Sequence, residues 1–326
     1  MELFGITVKN VDVHVRDDIY VMPCGSSVGI SLWCNGVLVV GLGNVDDGIR
    51  RRCPAHEAGI RTGDAIIAVN GEQVNGVGEL SAMVKSAGDS MRLRVRRNGS
   101  EFDCTVYPCV KDGEVLLGAW VRESTAGIGT LTFYTMSSMR FGALGHAVTD
   151  PDAGTMIEAK RGELSEASIV GVTHGEQGFP GEVRGTFSAV SKRLGAIDRN
   201  TRYGVFGEMY APLTSALYPE GVALAYPDEV ETGKATLLTS LEDGVTTEYE
   251  CEIIKLFEQS TSDGKGMVVK VTDKRLLEHA GGIVQGMSGS PILQNGKLVG
   301  AVTHVFINDP TKGYGIYAYW MYEQMR

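Results

Sequence analysis

The sequence has no hydrophobic run long enough to cross a membrane. A spanning helix needs about 20 consecutive apolar residues, whereas the longest smooth run has the length of one buried strand (GVLVVGLG, residues 36–43). The first ten residues, MELFGITVKN, have neither the basic region nor the apolar core of a signal peptide. We therefore expect neither a membrane span nor a signal peptide in this chain.

Positive charge is also scarce. The chain has 30 Lys and Arg against 40 Asp and Glu, a formal net charge of -10. Its densest basic stretch, three arginines at residues 50–52, follows two aspartates and is typical of a solvated loop. Because nucleic-acid binding requires a basic face, we predict no nucleic-acid partner.

The six cysteines lack the patterns of a metal site. None forms a CxxC pair or lies near His at zinc spacing, so we expect no metal and no other cofactor. The even number permits disulfides, but a chain of 326 residues does not depend on them, and buried free thiols are the favoured interpretation.

Proline is sparse and glycine abundant, at 10 and 43 residues. Runs of Val, Ile and Thr are separated by Gly, Asn and Asp, and this pattern is typical of short strands joined by tight turns. The length predicts two or three domains. We therefore predict a mostly β fold.

Residues 53–74 carry a compact pattern, CPAHEAGIRTGDAIIAVNGEQV. A short helix opens it, Gly63-Asp64 turn the chain, residues 66–69 form a buried strand, and Asn70-Gly71 close a tight turn. This pattern resembles the core of PDZ domains. It predicts a PDZ domain over residues 25–112, preceded by an extension at residues 1–24.

A PDZ domain implies that a peptide is bound by strand addition beside an exposed strand and helix. The resemblance places the carboxylate-binding loop at Val28, Gly29 and Ile30, with Leu32 lining the groove. This loop departs from the common GLGF form.

A candidate nucleophile, Ser288, lies in the segment GMSGSP. The pattern resembles the nucleophile loop of chymotrypsin-like proteases, in which backbone N–H groups of the serine and of the glycine two residues earlier form the oxyanion hole. Here those residues are Ser288 and Gly286. The alternative is an ordinary Gly/Ser-rich turn between strands.

A serine hydroxyl needs an adjacent base, and the base needs a third group to orient it. His146, in FGALGHAVTD, follows an apolar strand and precedes Ser288 in the chain. His304 lies after Ser288, where it lines a pocket or fills the core. Two acids are candidates for the third group, Asp150 and Asp273, and either one reaches the histidine in a suitable fold.

Long segments extend the resemblance to one family. FGALGHAVTD, VKVTDKRLL and GGIVQGMSGSPILQNGKLVGAVTHVFINDPTKGYGIY are similar to the SpoIVB peptidases, sporulation-signalling serine proteases of endospore-forming bacteria. The family places a PDZ domain before a trypsin-like domain, which implies a chymotrypsin-type double β-barrel over residues 113–326. Carried over residue by residue, its triad falls on His146, Asp273 and Ser288.

The resemblance also implies a role. The family's proteases cleave themselves near the N-terminus and cleave a membrane-bound regulator of an intramembrane protease complex, which activates a late mother-cell sigma factor. They act in the space between forespore and mother cell, anchored to a membrane or secreted. The family also carries an N-terminal membrane-spanning segment, and this chain departs from that pattern, which implies either that the segment was trimmed or that the protein is a secreted or processed form. The implied PDZ ligand is the enzyme's own N-terminal segment or the regulator.

Two other classes of protein compete with this interpretation. A PDZ scaffold with a degenerate protease domain acts by binding alone, but all three triad residue types are present. A β-rich periplasmic binding protein or chaperone accounts for the PDZ pattern and leaves GMSGSP unexplained.

Overall fold

The structure is a computed structural model that describes residues 2–3, 6–7, 16–46, 48, 50–213, 217–259 and 264–326. The prediction of a mostly β chain, with a PDZ domain ahead of a protease domain, is confirmed. No helix in these residues is long and apolar enough to cross a membrane. Their cysteines form no disulfide.

The strands of the described residues follow in chain order. They are β1 (Glu2–Leu3), β2 (Ile6–Thr7), β3 (Tyr20–Pro23), β4 (Ser27–Leu42), β5 (Val45–Asp46), β6 (Arg51–Arg52), β7 (Ala65–Val69), β8 (Glu72–Gln73), β9 (Met91–Arg97), β10 (Ser100–Val106), β11 (Cys109–Lys111), β12 (Glu114–Leu116), β13 (Ala119–Tyr134), β14 (Arg140–Ala143), β15 (Ala159–Glu166), β16 (Ser168–Thr173), β17 (Glu182–Thr186), β18 (Arg193–Thr201), β19 (Gly204–Met209), β20 (Val222–Leu224), β21 (Gly233–Glu242), β22 (Val245–Leu256), β23 (Met267–Val271), β24 (Pro291–Gln294), β25 (Lys297–Val305) and β26 (Lys312–Tyr317). The helices are α1 (Pro54–Glu57), α2 (Val77–Ser86), α3 (Lys274–Ala280) and α4 (Ala318–Glu323), with one 3-10 turn at Pro227–Glu229.

Six antiparallel strands close the first barrel. Their order is β4, β13, β14, β19, β18 and β15, and β15 pairs again with β4. Inward side chains such as Leu32, Leu131, Phe141 and Leu164 are fully buried in its core. The alternation of buried and exposed residues along these strands follows from the two-residue period of a strand.

Six more antiparallel strands close the second barrel, in the order β25, β24, β21, β22, β23 and β26, and β26 pairs again with β25. Its core is formed by residues such as Leu237, Ile253, Val269 and Ile292. Apolar side chains from both barrels and from α4 fill the space between them, including Phe133, Phe206, Leu293 and Met321. Each such side chain contributes about 1.5–3 kcal/mol when it is removed from water, so the two barrels form one packed body.

In the PDZ domain, α1 and α2 pack on strands β7 to β10, on the second half of β4 and on the first half of β13. Helix α2 buries Leu80 and Val84, four residues apart on one face. The carboxylate of Glu123, in β13, accepts a hydrogen bond from the N–H of Val77 at the first turn of α2. An acidic group at this position also interacts favourably with the helix dipole.

The prediction of the peptide-binding loop requires a correction. Val28, Gly29, Ile30 and Leu32 lie in the first half of β4, which pairs with β13 on one side and β15 on the other. Val28, Ile30 and Leu32 are buried in the core of the first barrel. Because both edges of this segment are occupied, it offers no free edge to a peptide.

Candidate active site

Ser288 and His146 line the same cavity, about 810 Å³ in volume, between the two barrels. Ser288 lies in the loop before β24, and His146 follows β14. The structure therefore brings together the predicted nucleophile and the predicted base, although 142 residues separate them in the sequence (288 − 146).

The loop that carries His146 is held in an unusual conformation. Leu144 and Gly145 both have positive φ, 71° and 70°, so the chain turns sharply where β14 ends. The side chain of Asn200 fixes the far side of the loop: its Oδ1 accepts the N–H of Val148 at 2.9 Å, and its Nδ2 donates to the carbonyl of Val148 at 2.8 Å. Asn200 had no signature in the sequence.

Among the residues that the structure describes, no carboxylate contacts the His146 imidazole. Its Nδ1 lies 2.8 Å from the carbonyl oxygen of Ala147, a contact that suits an N–H donor at that nitrogen. Burial lowers the pKa of His146 below its ordinary value of about 6.5, against the opposing effect of this carbonyl. The ring is therefore neutral at neutral pH, as a general base must be.

The Ser288 hydroxyl donates a hydrogen bond to the carbonyl oxygen of Thr303 at 2.8 Å. Gly286 has a φ of 97°, a left-handed conformation that glycine adopts without strain. Within the described residues, the backbone N–H groups of Gly286 and Ser288 donate no hydrogen bond. Two unpaired donors at the edge of the cavity are the arrangement that an oxyanion hole requires.

Thr130, a fully buried residue of β13, connects the two loops. Its N–H donates to the carbonyl of Ser288 at 3.0 Å, and its Oγ1 donates to the carbonyl of Gly286 at 2.9 Å. Its own carbonyl accepts the N–H of Leu144 at 3.2 Å. Gly289 allows this close approach, since a Cβ there would lie 2.3 Å from the Thr130 carbonyl oxygen.

Asp273 lies elsewhere, and its assignment as the orienting acid is corrected. It is the N-cap of α3, where its carboxylate accepts the N–H of Arg275 at 2.9 Å and the N–H of Glu250 at 3.1 Å. The Arg275 guanidinium, 2.7 Å away, lowers the pKa of Asp273 to about 2 despite its burial. These contacts commit the carboxylate to the helix, and Asp273 does not line the cavity.

Asp150, the other candidate acid, is also occupied. It is fully buried, forms an ion pair with Arg122, and accepts the N–H groups of Asp152 and Ala153 in a turn. It therefore has the structural role that the sequence TDPD favours. The residue that does face His146 is His304, whose ring centroid lies 4.9 Å from that of His146.

A second, smaller groove of about 380 Å³ lies in the PDZ domain. One wall is α2, with Val77, Leu80, Ser81 and Val84, and the other is the chain at residues 115–121. In the described part of the chain, the first residues of β13 pair on one side only, with β4. The groove therefore has the helix and the free strand edge that a PDZ peptide-binding site requires. From the sequence, this site was expected at residues 28–32.

A family model described as SpoIVB peptidase S55 matches residues 113–322. The chain belongs to this family. It is therefore a serine peptidase, and a PDZ domain model matches residues 45–97 ahead of the peptidase region.

Two solved structures show a more distant similarity. The active form of the Rv3671c protease from M. tuberculosis is 16% identical, with 62% of this chain and 73% of that chain covered and a TM-score of 0.34. The HtrA-type protease AlgW with a decapeptide is 12% identical, with 63% and 53% covered and a TM-score of 0.34. Likeness at this level carries no information about the site.

Replacement of Thr130 by Val should slow the reaction of Ser288 with a fluorophosphonate by about tenfold. The substitution keeps the shape but removes the hydrogen bond to Gly286, and an unsatisfied buried carbonyl costs about 1–3 kcal/mol. Thr132→Val is the matched control on the same strand, because the buried Oγ1 of Thr132 has no partner among the described residues. Equal labelling rates for the two variants would contradict the role assigned to Thr130.

Replacement of Asp273 by Ala should lower the free energy of unfolding by about 1 kcal/mol, the usual cost of losing an N-cap, while Asp273→Asn retains most of the stability. Chemical denaturation measures both changes. Fluorophosphonate labelling of folded protein should change by less than about threefold in either variant. A loss near 10⁴-fold in Asp273→Asn, as when the acid of a triad is neutralised, would restore Asp273 to the catalytic centre.

Proposed function

We propose that this protein cleaves peptide bonds through an acyl-enzyme on Ser288, with His146 as general base and the N–H groups of Gly286 and Ser288 as the oxyanion hole. The observation that carries the proposal is that Ser288 and His146 share one cavity beside two unpaired backbone donors. Neither a metal nor an organic cofactor takes part in this chemistry.

A rotation of the Ser288 side chain precedes the reaction, because its hydroxyl is bonded to Thr303 in the free enzyme. Catalytic hydrogen bonds often tighten only when substrate binds. Oγ then bonds to the scissile carbonyl carbon while its proton passes to His146, and the developing oxyanion accepts the two N–H groups. His146 returns the proton to the leaving amine, and water hydrolyses the acyl ester by the reverse sequence.

The cavity favours apolar residues around the cleaved bond. Its wall includes Ile128, Leu144, Ile283 and Val284, and among the described residues that line it the side chain charged at neutral pH is Arg202. An acidic or neutral apolar peptide fits this lining better than a basic one, because Arg202 repels positive charge. The net charge of -10 has no direct bearing on this local preference.

Membership of the SpoIVB peptidase family supports a role in sporulation signalling. In this proposal the enzyme cleaves its own N-terminal segment and a membrane-associated regulator of an intramembrane protease complex. That cleavage permits activation of the late mother-cell sigma factor. The enzyme acts outside the cytoplasm, between forespore and mother cell.

In this proposal, the PDZ groove between α2 and β13 binds the enzyme's own N-terminal segment. An extended peptide would add to the free edge of β13 and place apolar side chains against Leu80 and Val84. We assign the enzyme's own N-terminal segment to this groove as ligand, with the membrane-bound regulator as its competitor.

Intact-mass spectrometry of the purified chain tests the catalytic assignment. The wild type should lose an N-terminal segment with time and should react with a fluorophosphonate at Ser288, whereas Ser288→Ala should do neither. Ser290→Ala is the matched control, since Ser290 lies two residues away with a buried hydroxyl that lacks a partner among the described residues. A folded wild type that remains unlabelled would favour the alternative, a PDZ scaffold with a degenerate protease domain.

Replacement of Ser81 by Trp should fill the PDZ groove and weaken peptide binding at least tenfold. The measurement is fluorescence anisotropy with a labelled peptide of residues 1–15. Ala82→Trp is the control, because Ala82 is equally exposed on α2 but does not line the groove. If the wild type fails to bind this peptide, the assigned ligand is wrong; if Ser81→Trp binds as well as wild type, the assigned groove is wrong.

A further inference from the structure

An aromatic cluster on the second barrel adjoins the catalytic cavity. It consists of Phe257, Phe306 and Tyr314, all partly exposed. The ring centroid of Tyr314 lies 4.7 Å from that of Phe306 and 6.4 Å from that of Phe257. Tyr314 of β26 is paired in register with His304 of β25, which lines the cavity. Because directly opposite residues of two strands have their side chains on one face of the sheet, the cluster continues the cavity wall.

Two exposed lysines lie on this cluster. The Lys255 ammonium is 4.6 Å from the ring centroid of Phe257, and the Lys265 ammonium is 4.6 Å from that of Tyr314. Among the described residues, neither ammonium forms an ion pair with a carboxylate, in contrast to Lys312 of the same barrel. The face of an aromatic ring attracts a cation, so the rings hold both ammonium groups in place without neutralising their charge.

Arg202 adds a third positive charge. It is exposed and lines the cavity, and a Cβ at Gly264, the residue before Lys265, would lie 3.9 Å from the Arg202 carbonyl oxygen. Lys265 is also close to the cavity wall: burial lowers the pKa of His304, and the positive charge of Lys265 is among those that lower it further. We call Arg202, Lys255 and Lys265 the basic rim.

The described carboxylates nearest to the basic rim along the chain are engaged elsewhere. Asp309, in the loop after Phe306, forms an ion pair with the Lys312 ammonium at 2.8 Å. Glu258 follows Phe257 but lines a separate groove with Arg16. The chain as a whole has a net charge of -10, so a local excess of positive charge beside the cavity is complementary to an anionic ligand.

The cavity-facing edge of β25 offers a place for a substrate strand. Strand β24 pairs with β25 as far as Ala301, and from there to Val305 the described strands pair with β25 on one side only, through β26. The Ser288 hydroxyl donates to the carbonyl of Thr303 in this segment. A peptide that adds antiparallel to residues 303–305 has its C-terminal part near Ser288, and the residues before the cleaved bond extend toward the aromatic cluster. Because a strand rises about 3.3 Å per residue, the third or fourth of these residues reaches the basic rim.

We propose that the basic rim is a specificity site for an acidic substrate residue, Asp or Glu, at the third or fourth position before the cleaved bond. The inference rests on the proposed function of Ser288 and deepens it by naming a class of substrate. The substrate carboxylate accepts hydrogen bonds from the ammonium and guanidinium groups of the rim, which are stronger than hydrogen bonds between neutral groups. The apolar part of the same residue packs on the aromatic cluster.

The test uses peptidyl diphenyl phosphonates, which react covalently with the nucleophile of serine proteases. The probes are acetyl-X-Ala-Ala-Leu and acetyl-Ala-X-Ala-Leu diphenyl phosphonates, in which X is Glu, Gln or Lys. The second-order rate constant for labelling of Ser288 is measured by intact-mass spectrometry. At low salt, the Glu probe of one series should react about fivefold faster than its Gln counterpart, as expected for a few exposed ion pairs, and the Lys probe should react more slowly. The ratio of the Glu rate to the Gln rate should fall at about 500 mM NaCl, because salt screens exposed charges.

The triple variant Arg202→Gln, Lys255→Gln, Lys265→Gln should reduce this ratio to about one, because it removes all three charges of the rim. The ratio compares two probes on the same protein, so it reports specificity independently of any general change in activity. The replaced side chains are exposed, and the variant is therefore expected to fold.

The matched control is the triple variant Lys111→Gln, Lys234→Gln, Lys274→Gln, which removes the same net charge at exposed lysines that do not line the cavity. It should keep the wild-type ratio. Equal rates for the Glu and Gln probes in the wild type would overturn the proposal, as would a wild-type ratio in the rim variant or an equal loss in the control. A folded wild type that reacts with neither these probes nor a fluorophosphonate would instead refute the proposed function, so the two failures are distinguishable.

Discussion

The hydrogen bonds of Thr130 are the constraint on which the catalytic centre depends. Three of them connect β13 to the Gly286–Ser288 loop and to the turn before His146, so one buried residue sets the distance between nucleophile and base. Each neutral hydrogen bond contributes about 1 kcal/mol. Their value here is geometric, because the two loops belong to different barrels and Thr130 contacts both of them.

The features that the sequence predicts well are local. The dipeptides Asn98-Gly99 and Asn295-Gly296 predict hairpin turns, and both asparagines have the positive φ that such turns require. The choice of Ser288 and His146, which line one cavity in the structure, depended on the GMSGSP motif and on resemblance to a family. These features depend on a few adjacent residues or on a long motif. They can be predicted without knowing which strands pair.

The errors arose where a residue's role depends on distant partners. The segment at residues 28–32 has the apolar character of a PDZ strand, but its two neighbours come much later in the chain: Ile30 pairs with Gly127 of β13, 97 residues on (127 − 30), and with Leu164 of β15, 134 residues on (164 − 30). Asp273 followed by a helical stretch and Gly281 is itself the signature of a capped short helix. This signature predicts a structural role for Asp273 instead of a catalytic one. In the structure Asp273 caps the helix and does not line the cavity. Asn200 holds the loop of His146 through contacts that no local pattern encodes.

Strands β4 and β13 run side by side from the PDZ groove to the floor of the catalytic cavity. The β4–β13 pair is also flanked by β15 in the first barrel and by β7 in the PDZ domain, so the two domains share continuous sheet rather than a flexible linker. The register shifts of this pair, between Trp120 and Val121 and between Arg122 and Ser124, are the points where it deviates from regular pairing. The irregular pairing therefore lies at the PDZ end of the shared strands, close to the groove, whereas the part of β13 that carries Thr130 beside Ser288 pairs with β4 without a register shift.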